Sequence, residues 1–331
     1  MEHDQFDFVS IGDTTTDAFI RINKASVYYD DSAREEKICL TNGSKIPYEF
    51  VKVVSAVGNS PNAAVSAARL GLKSALVTDL GNDDNGREDK DALEKNGVDT
   101  RFVRFHDGKS SNYHYVLWHK AERTILIKHE DFDYQLPDLG APRWIYFSSV
   151  GENSMDYHHA IAQYVKEHPD TKLAFQPGTF QIKLGHAKLR DIYEASEVFF
   201  CNKEEAQLIL GNYDAPVTAL PHMVSDLGPR IAVITDGPEG AYAWDGESTW
   251  FMPIYPDPAP PYERTGAGDS FSSTFTAALA LGKEVPEALM WGPINSMNVV
   301  QHIGAQEGLL PRAELERFLA ERPEHYEPKK V

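Results

Sequence analysis

The chain has 331 residues, 42% of them hydrophobic, enough to bury a sizeable core as one large α/β domain or two smaller ones, so disorder is not expected. Its 32 Lys and Arg stand against 50 Asp and Glu, and the net charge of −18 argues against duplex nucleic acid or an anionic membrane as the main partner. Two cysteines without CxxC spacing, Cys39 and Cys201, imply neither a disulfide framework nor a Cys-based zinc site; "MEHDQFDFVSIGD" has no basic leader, and no apolar run reaches the ~18 residues of a membrane span, so a soluble, unprocessed cytoplasmic protein is expected.

Phe6 to Ile11 reads as a first strand. About forty residues of β-like alternation follow, through "AFIRINKASVYYDDSAREEKICL" to "FVKVVSA", and predict an antiparallel sheet inserted after that strand. Pro61 then marks the first helical position of a helix carrying Ala64, Ala67, Ala68 and Leu70, stopped by Gly71. A strand over Ser74 to Thr78 and a helix over Asp84 to Lys95, ended by Gly97, continue the alternation. A second β-rich insertion covers about 100–130, and from Trp144 onward "WIYFSS", "KLAFQ", "EVFFC" and "RIAVIT" alternate with helices to the end. That order predicts a doubly wound α/β fold: one domain over 1–331, with a mostly parallel sheet, helices on both faces, and a small β-sheet lid built from insertions at about 18–56 and 100–130.

Several motifs fail on inspection. "GKS" at Gly108 to Ser110 lacks the Walker glycine, since Val103 stands five residues before Gly108; it reads as a lid turn. "GAGDSF" has Phe271 where a dinucleotide fingerprint needs its third glycine. "GNDDNG" would place Gly81 and Ala92 at calcium-ligating positions, and His158 and His159 diverge on a helix and cannot share a metal.

Three features survive. In "YERTGAGDSFSS", Gly266, Ala267 and Gly268 leave backbone N–H groups bare at a helix N-terminus, a cradle for a phosphoryl group. Asp269 would repel a phosphate, so its natural role there is to take the proton of an attacking hydroxyl; a first-turn acid favoured by the helix dipole is the plainer reading. In "CNKEEAQLILG", Asn202 and Glu205 read either as a capping box or as an amide and a carboxylate holding the hydration shell of Mg²⁺. In "VITDGPEGAYA", Thr235, Gly237 and Gly240 follow a buried strand and read either as a phosphate-facing loop or as a hairpin turn.

"TGAGDSF", Asn202-x-x-Glu205, the opening "IGDTTTD" and "VGNSPNAAVSAARLGLKSALVTDLGNDDNG" together resemble the ribokinase, or PfkB, family of carbohydrate kinases, over about residues 6 to 320. The resemblance implies a ribokinase-like body, a β lid that closes over a sugar, and transfer of the ATP γ-phosphate to a hydroxyl. It implies Asp269 as the base and Gly266, Ala267 and Gly268 as the anion hole. It further implies Asp17, Gly58 and Asn62 on substrate hydroxyls, Thr235, Gly237 and Gly240 as the nucleotide loop, Asn202 and Glu205 in the Mg-phosphate network, and Asn295 on the adenine side. Departures are Val57 for the first glycine of a usual Gly-Gly pair, "FQPG" for Asp-Pro-Asn, and Glu263-Arg264 for Asp-Thr, where many members hold a monovalent cation such as K⁺. The acceptor is left open among sugar, sugar acid and nucleoside, the last favoured if Tyr28, Tyr29, Tyr113 or Trp118 stacks a base; a catalytically silent sugar sensor is the alternative of another class. A homodimer paired through the lids is expected.

Overall fold

The computed structural model describes residues 5–30, 35–120 and 122–331. The first strand, β1 (Phe8–Ile11), is buried on both faces, as its unbroken apolar run requires. Beyond it come β2 (Thr15–Ile22), a two-stranded hairpin of β3 (Ser26–Asp30) and β4 (Glu35–Cys39), and β5 (Tyr48–Val57). Helix α1 (Asn59–Arg69) leads to β6 (Ser74–Gly81), α2 (Asp84–Lys95) and β7 (Val103–His106); β8 (Asn112–His119) and β9 (Glu122–Leu126) form a hairpin. The remainder runs β10 (Trp144–Phe147), α3 (Met155–Glu167), β11 (Lys172–Phe175), α4 (Thr179–Leu184), α5 (Arg190–Ala195), β12 (Val198–Asn202), α6 (Lys203–Leu210), α7 (Leu220–Ser225) and β13 (Ile231–Thr235). It ends with β14 (Ala241–Trp244), β15 (Thr249–Met252), α8 (Ala267–Ala280), α9 (Val285–Val299), α10 (Arg312–Ala320) and β16 (Lys329–Lys330).

The body sheet has ten strands in the order β16-β15-β14-β13-β12-β11-β10-β1-β6-β7. From β7 to β13 every pairing is parallel, while β14, β15 and β16 add an antiparallel edge. Two apolar clusters cover its faces. One joins Phe8, Tyr146 and Phe200 to Phe271 and Phe275 of α8 and Trp291 of α9; the other joins Val9, Phe147 and Phe175 to Ile161 of α3 and Ile209 of α6. The chain leaves β1 toward β6 on one side and reaches β10 on the other, so a crevice opens above the carboxyl ends of β1 and β10.

The lid is a separate four-stranded sheet, β5-β2-β8-β9. Two expectations are corrected by it and by its neighbours. Val103–His106, counted with the second insertion, pairs with β6 at the edge of the body, so the second lid segment is the hairpin of β8 and β9. The first insertion pairs antiparallel as expected, β2 with β5 and β3 with β4, and it joins the second in parallel through β2 and β8. The alternation after Trp144 also stops at β13, where short turns force β14 and β15 to return antiparallel. Helix α1 starts at Asn59, two residues before Pro61, and Asp84–Lys95 forms as predicted, with Asp83 Oδ1 accepting from Gly86 N–H at 2.8 Å as its cap.

Candidate active site

Gly266, the cap residue directly before α8, has a left-handed backbone (φ +79°), and no side chain caps the helix's first N–H groups. A Cβ on Gly266 would stand 2.3 Å from Cβ of Ala305, so packing alone requires this glycine. Gly268 differs: a Cβ there would meet nothing within 4 Å, so its bareness faces open space. The sequence therefore leaves a helix N-terminus open to an anion, with the dipole favouring negative charge.

Two clefts meet at that terminus. One, of about 310 Å³ and largely apolar, is lined by Thr235, Gly237, Gly240, Tyr255, Pro293, Met297 and Val300. The other, of about 420 Å³ and half polar, holds Asp17, Gly58, Asn62, Asn202, Glu205 and Asp269, roofed by Phe19, His114, Arg123 and Ile125 of the lid. Thr235, Arg264, Ala267 and Gly268 line both. Asp269 lies on the polar side of this junction.

Three amides hold the Asp269 carboxylate. Asn59 and Asn62 donate to Oδ1 and Oδ2 at 2.9 and 2.8 Å, and Gln176 donates to Oδ1 at 3.2 Å. The amides are themselves oriented: buried Tyr146 donates its hydroxyl to Gln176 Oε1, and Gln306 donates to Asn62 Oδ1 at 3.0 Å. Burial raises the carboxyl above its usual range, the amide hydrogen bonds and then the charge of Arg123 pulling it back. A carboxylate whose proton affinity is raised is a better base near neutral pH.

Asp17 stands at the root of β2 with His114 Nδ1 at 3.3 Å, and both Asp17 Oδ1 and His114 Nε2 are buried without a hydrogen-bond partner. These atoms can read a ligand hydroxyl. Asn202 and Glu205 form a complete capping box on α6: Asn202 N–H donates to Glu205 Oε2 at 2.9 Å, and Glu205 N–H to Asn202 Oδ1 at 2.8 Å. Both residues still line the polar cleft, and burial raises the Glu205 carboxyl. Thr235, Gly237 and Gly240 form the tight turn from β13 to its antiparallel neighbour, so the hairpin and the cleft-lining roles coincide. Asn295 is not brought to either cleft. It is fully buried, donates to Thr274 Oγ1 at 2.8 Å and accepts from Leu310 N–H at 2.9 Å; its neighbour Ser296 is the residue facing the apolar cleft.

Asn59, His114, Arg123 and Gln176 were not found from the sequence. Gln176 had a signal, because "FQPG" puts it directly after β11 at the carboxyl edge of the sheet. His114 and Arg123 had none, since only the lid's parallel pairing brings β8 and β9 over the cleft.

The pfkB family carbohydrate kinase model matches residues 27–313. The chain is 26% identical to the ribokinase of Bacillus subtilis, over 80% of this chain and 87% of that one. It is 24% identical to an uncharacterised sugar kinase of Archaeoglobus fulgidus, over 74% of this chain and 98% of the other. Ribokinase of Arabidopsis thaliana, solved with ribose and ATP, superposes with a TM-score of 0.80 at 18% identity, covering 95% of this chain and 99% of that one. The ribokinase-like body and lid are thus shared, and the chain belongs to the pfkB family of carbohydrate kinases.

Proposed function

We propose that the chain transfers the γ-phosphoryl group of Mg-ATP to a hydroxyl of a small carbohydrate seated in the polar cleft. The observation that carries this reading is the junction: an apolar cleft and a polar cleft share Ala267 and Gly268, with Asp269 on the polar side. The adenosine end of the nucleotide would lie against Tyr255, Met297 and Val300, and its phosphates would reach the α8 N-terminus. Asp17 and His114 would hold acceptor hydroxyls, and Asp269 would take the proton of the attacking one as negative charge spreads over oxygens facing the N–H groups of residues 267 and 268.

Asn202 and Glu205 offer oxygen atoms at the cleft, with no cage of protein ligands among the described residues, which fits Mg²⁺ held mainly by phosphate and water. Bound there, the ion would neutralise phosphate charge. The four aromatic residues expected to stack a nucleobase do not line the polar cleft: Trp118 is buried against Tyr262, and Tyr28 and Tyr29 stand outward on the hairpin of β3 and β4. This supports a small acceptor over a nucleoside. Among the described residues no helix is long and apolar enough to cross a membrane, and we place the enzyme in the cytoplasm.

The test is ADP release from Mg-ATP across sugars, sugar acids and nucleosides. Asp269→Asn should stay folded and bind acceptor while kcat drops at least ~10²-fold; near-normal turnover would remove the base. We also propose a homodimer paired through the lids. Val27, Tyr28, Tyr29, Tyr48, Val53 and Leu126 leave apolar surface exposed on the two thin lid sheets, more than a thin sheet keeps in water without a cover. A sedimentation coefficient of a monomer at micromolar concentration would refute it.

A further inference from the structure

Glu263 lies three residues before Gly266, is 2% exposed, and knits the turn into α8 together. Its Oε1 accepts from Thr265 N–H at 2.7 Å and from the Thr265 hydroxyl, and its Oε2 accepts from Gly304 N–H at 3.4 Å. The charge of this buried carboxylate is met from outside the body. Arg123, on β9 at the edge of the lid, brings Nη1 to 3.5 Å from Glu263 Oε1, and among the described residues it is the only cation paired with it. The neighbouring Arg264 is exposed.

The resemblance to the family implies a monovalent cation beside this acid, and the residues present do not fit one. A carboxylate offers about four lone-pair directions. Here three are taken by backbone and hydroxyl donors, and a guanidinium faces Oε1. A metal ion on Oε1 would have to displace both donors there, and one taking the single direction left on Oε2 would still stand beside a fixed positive charge.

Resting on the kinase reading, we propose that Arg123 is a positioning residue that supplies the positive charge at Glu263 in place of a monovalent cation. Because the charge is carried by the lid, seating the lid and completing the anion-hole turn are one event. Arg123 also lines the polar cleft with Asp269, so the guanidinium links the lid's cover of that cleft to the turn before α8, with or without an acceptor.

Two readouts test this. The first is thermal melting of the protein without substrates, in potassium chloride and in tetramethylammonium chloride of equal ionic strength. The wild type should melt alike in both, and Arg123→Met should gain a K⁺-specific rise. The second is steady-state turnover: Arg123→Met should lose at least ~10²-fold in kcat, the scale of a misplaced catalytic geometry, and recover part of it with millimolar guanidinium or K⁺. Arg123→Lys, which keeps a charge and disturbs packing least, should remain indifferent to K⁺ with a smaller loss. A K⁺-specific stabilisation or activation of the wild type overturns the proposal, as does normal turnover in Arg123→Met. The melting comparison needs no acceptor, so its failure is distinct from a failure to find kinase activity, which would instead remove the kinase reading.

Discussion

Asp89→Asn separates a buried charge from the hydrogen bonds it makes. Asp89, on α2, is fully buried, and its Oδ1 accepts from Ala56 N–H at 2.6 Å and Thr16 Oγ1–H at 2.8 Å, so it ties the roots of β5 and β2 to the body. Ala56 holds a left-handed backbone (φ 57°), a conformation a non-glycine residue keeps only when its surroundings impose it. Burial raises the Asp89 carboxyl to about 6 against the pull of those two bonds, Asp83 and Glu88 adding to the rise. The native state therefore binds this proton more tightly than the unfolded chain does. The group's contribution is fully present below the unfolded value of 3.8 and is lost as pH rises through about 6. At 1.36 kcal/mol per unit the loss is about 3 kcal/mol, of which about 2 kcal/mol falls between pH 4 and 7. Asn keeps one acceptor for both donors and places an NH₂ where Oδ2 has no partner, an offset that does not change with pH. Urea unfolding of both proteins from about pH 4 to 7 should show the variant gaining about 2 kcal/mol relative to wild type across the range. A difference that stays constant with pH would show that Asp89 carries no buried charge.

Glu205→Gln preserves the capping box, because a glutamine oxygen can still accept from Asn202 N–H. Its melting temperature should hold while the Mg²⁺ concentration for half-maximal turnover rises about tenfold, the scale of one lost carboxylate contact; an unchanged Mg²⁺ profile would leave Glu205 a cap only. The two glycines of the cradle should part company. Gly266→Ala meets Ala305 and a left-handed backbone and should lower stability by at least ~1 kcal/mol. Gly268→Ala meets no protein atom and should match or exceed wild-type stability by about 0.5–1 kcal/mol, yet lose at least ~10-fold in turnover because the methyl stands where the phosphoryl group binds. Equal stabilities for the two variants would refute the distinction.

What the sequence disclosed follows from how local each signal is. The strand β6, the helix α2 and the start of α8 depend on neighbours within a few residues, and periodicity, caps and glycines report them directly. The bare start of α8 and the acid beside it were legible for the same reason, being one contiguous stretch. The amides on Asp269 were not, for they lie 210, 207 and 93 residues away along the chain, and Asn62 read alone suggests a substrate contact rather than a support for the base. Asn295 misled in the opposite direction. An amide on a helix beside the apolar cleft looks like a ligand, but buried polar atoms must be satisfied, and here the protein satisfies both ends.

The choice of neutral partners for Asp269 bears on how the site works. A Lys or Arg in direct contact would hold the carboxylate low, by roughly one to three units, and leave it a poor base. Amides fix its position without that cost in basicity, and burial supplies the opposite push. Their alignment reaches back to the lid. Gln306 donates both to Asn62 Oδ1 and to the carbonyl of Ala56 at 2.6 Å, and Ala56 N–H is the group held by Asp89. The residue at the root of β5 is thus gripped from both sides, and one grip passes through Gln306 and Asn62 to Asp269. A shift of that root would rotate the amide on Asp269 Oδ2 before it disturbed the cradle, whose own tie to the lid runs separately through Arg123 and Glu263. Asp269 and the turn before α8 are therefore tied to two different strands of one lid, β5 and β9 at its opposite edges, and only a lid seated as a whole satisfies both.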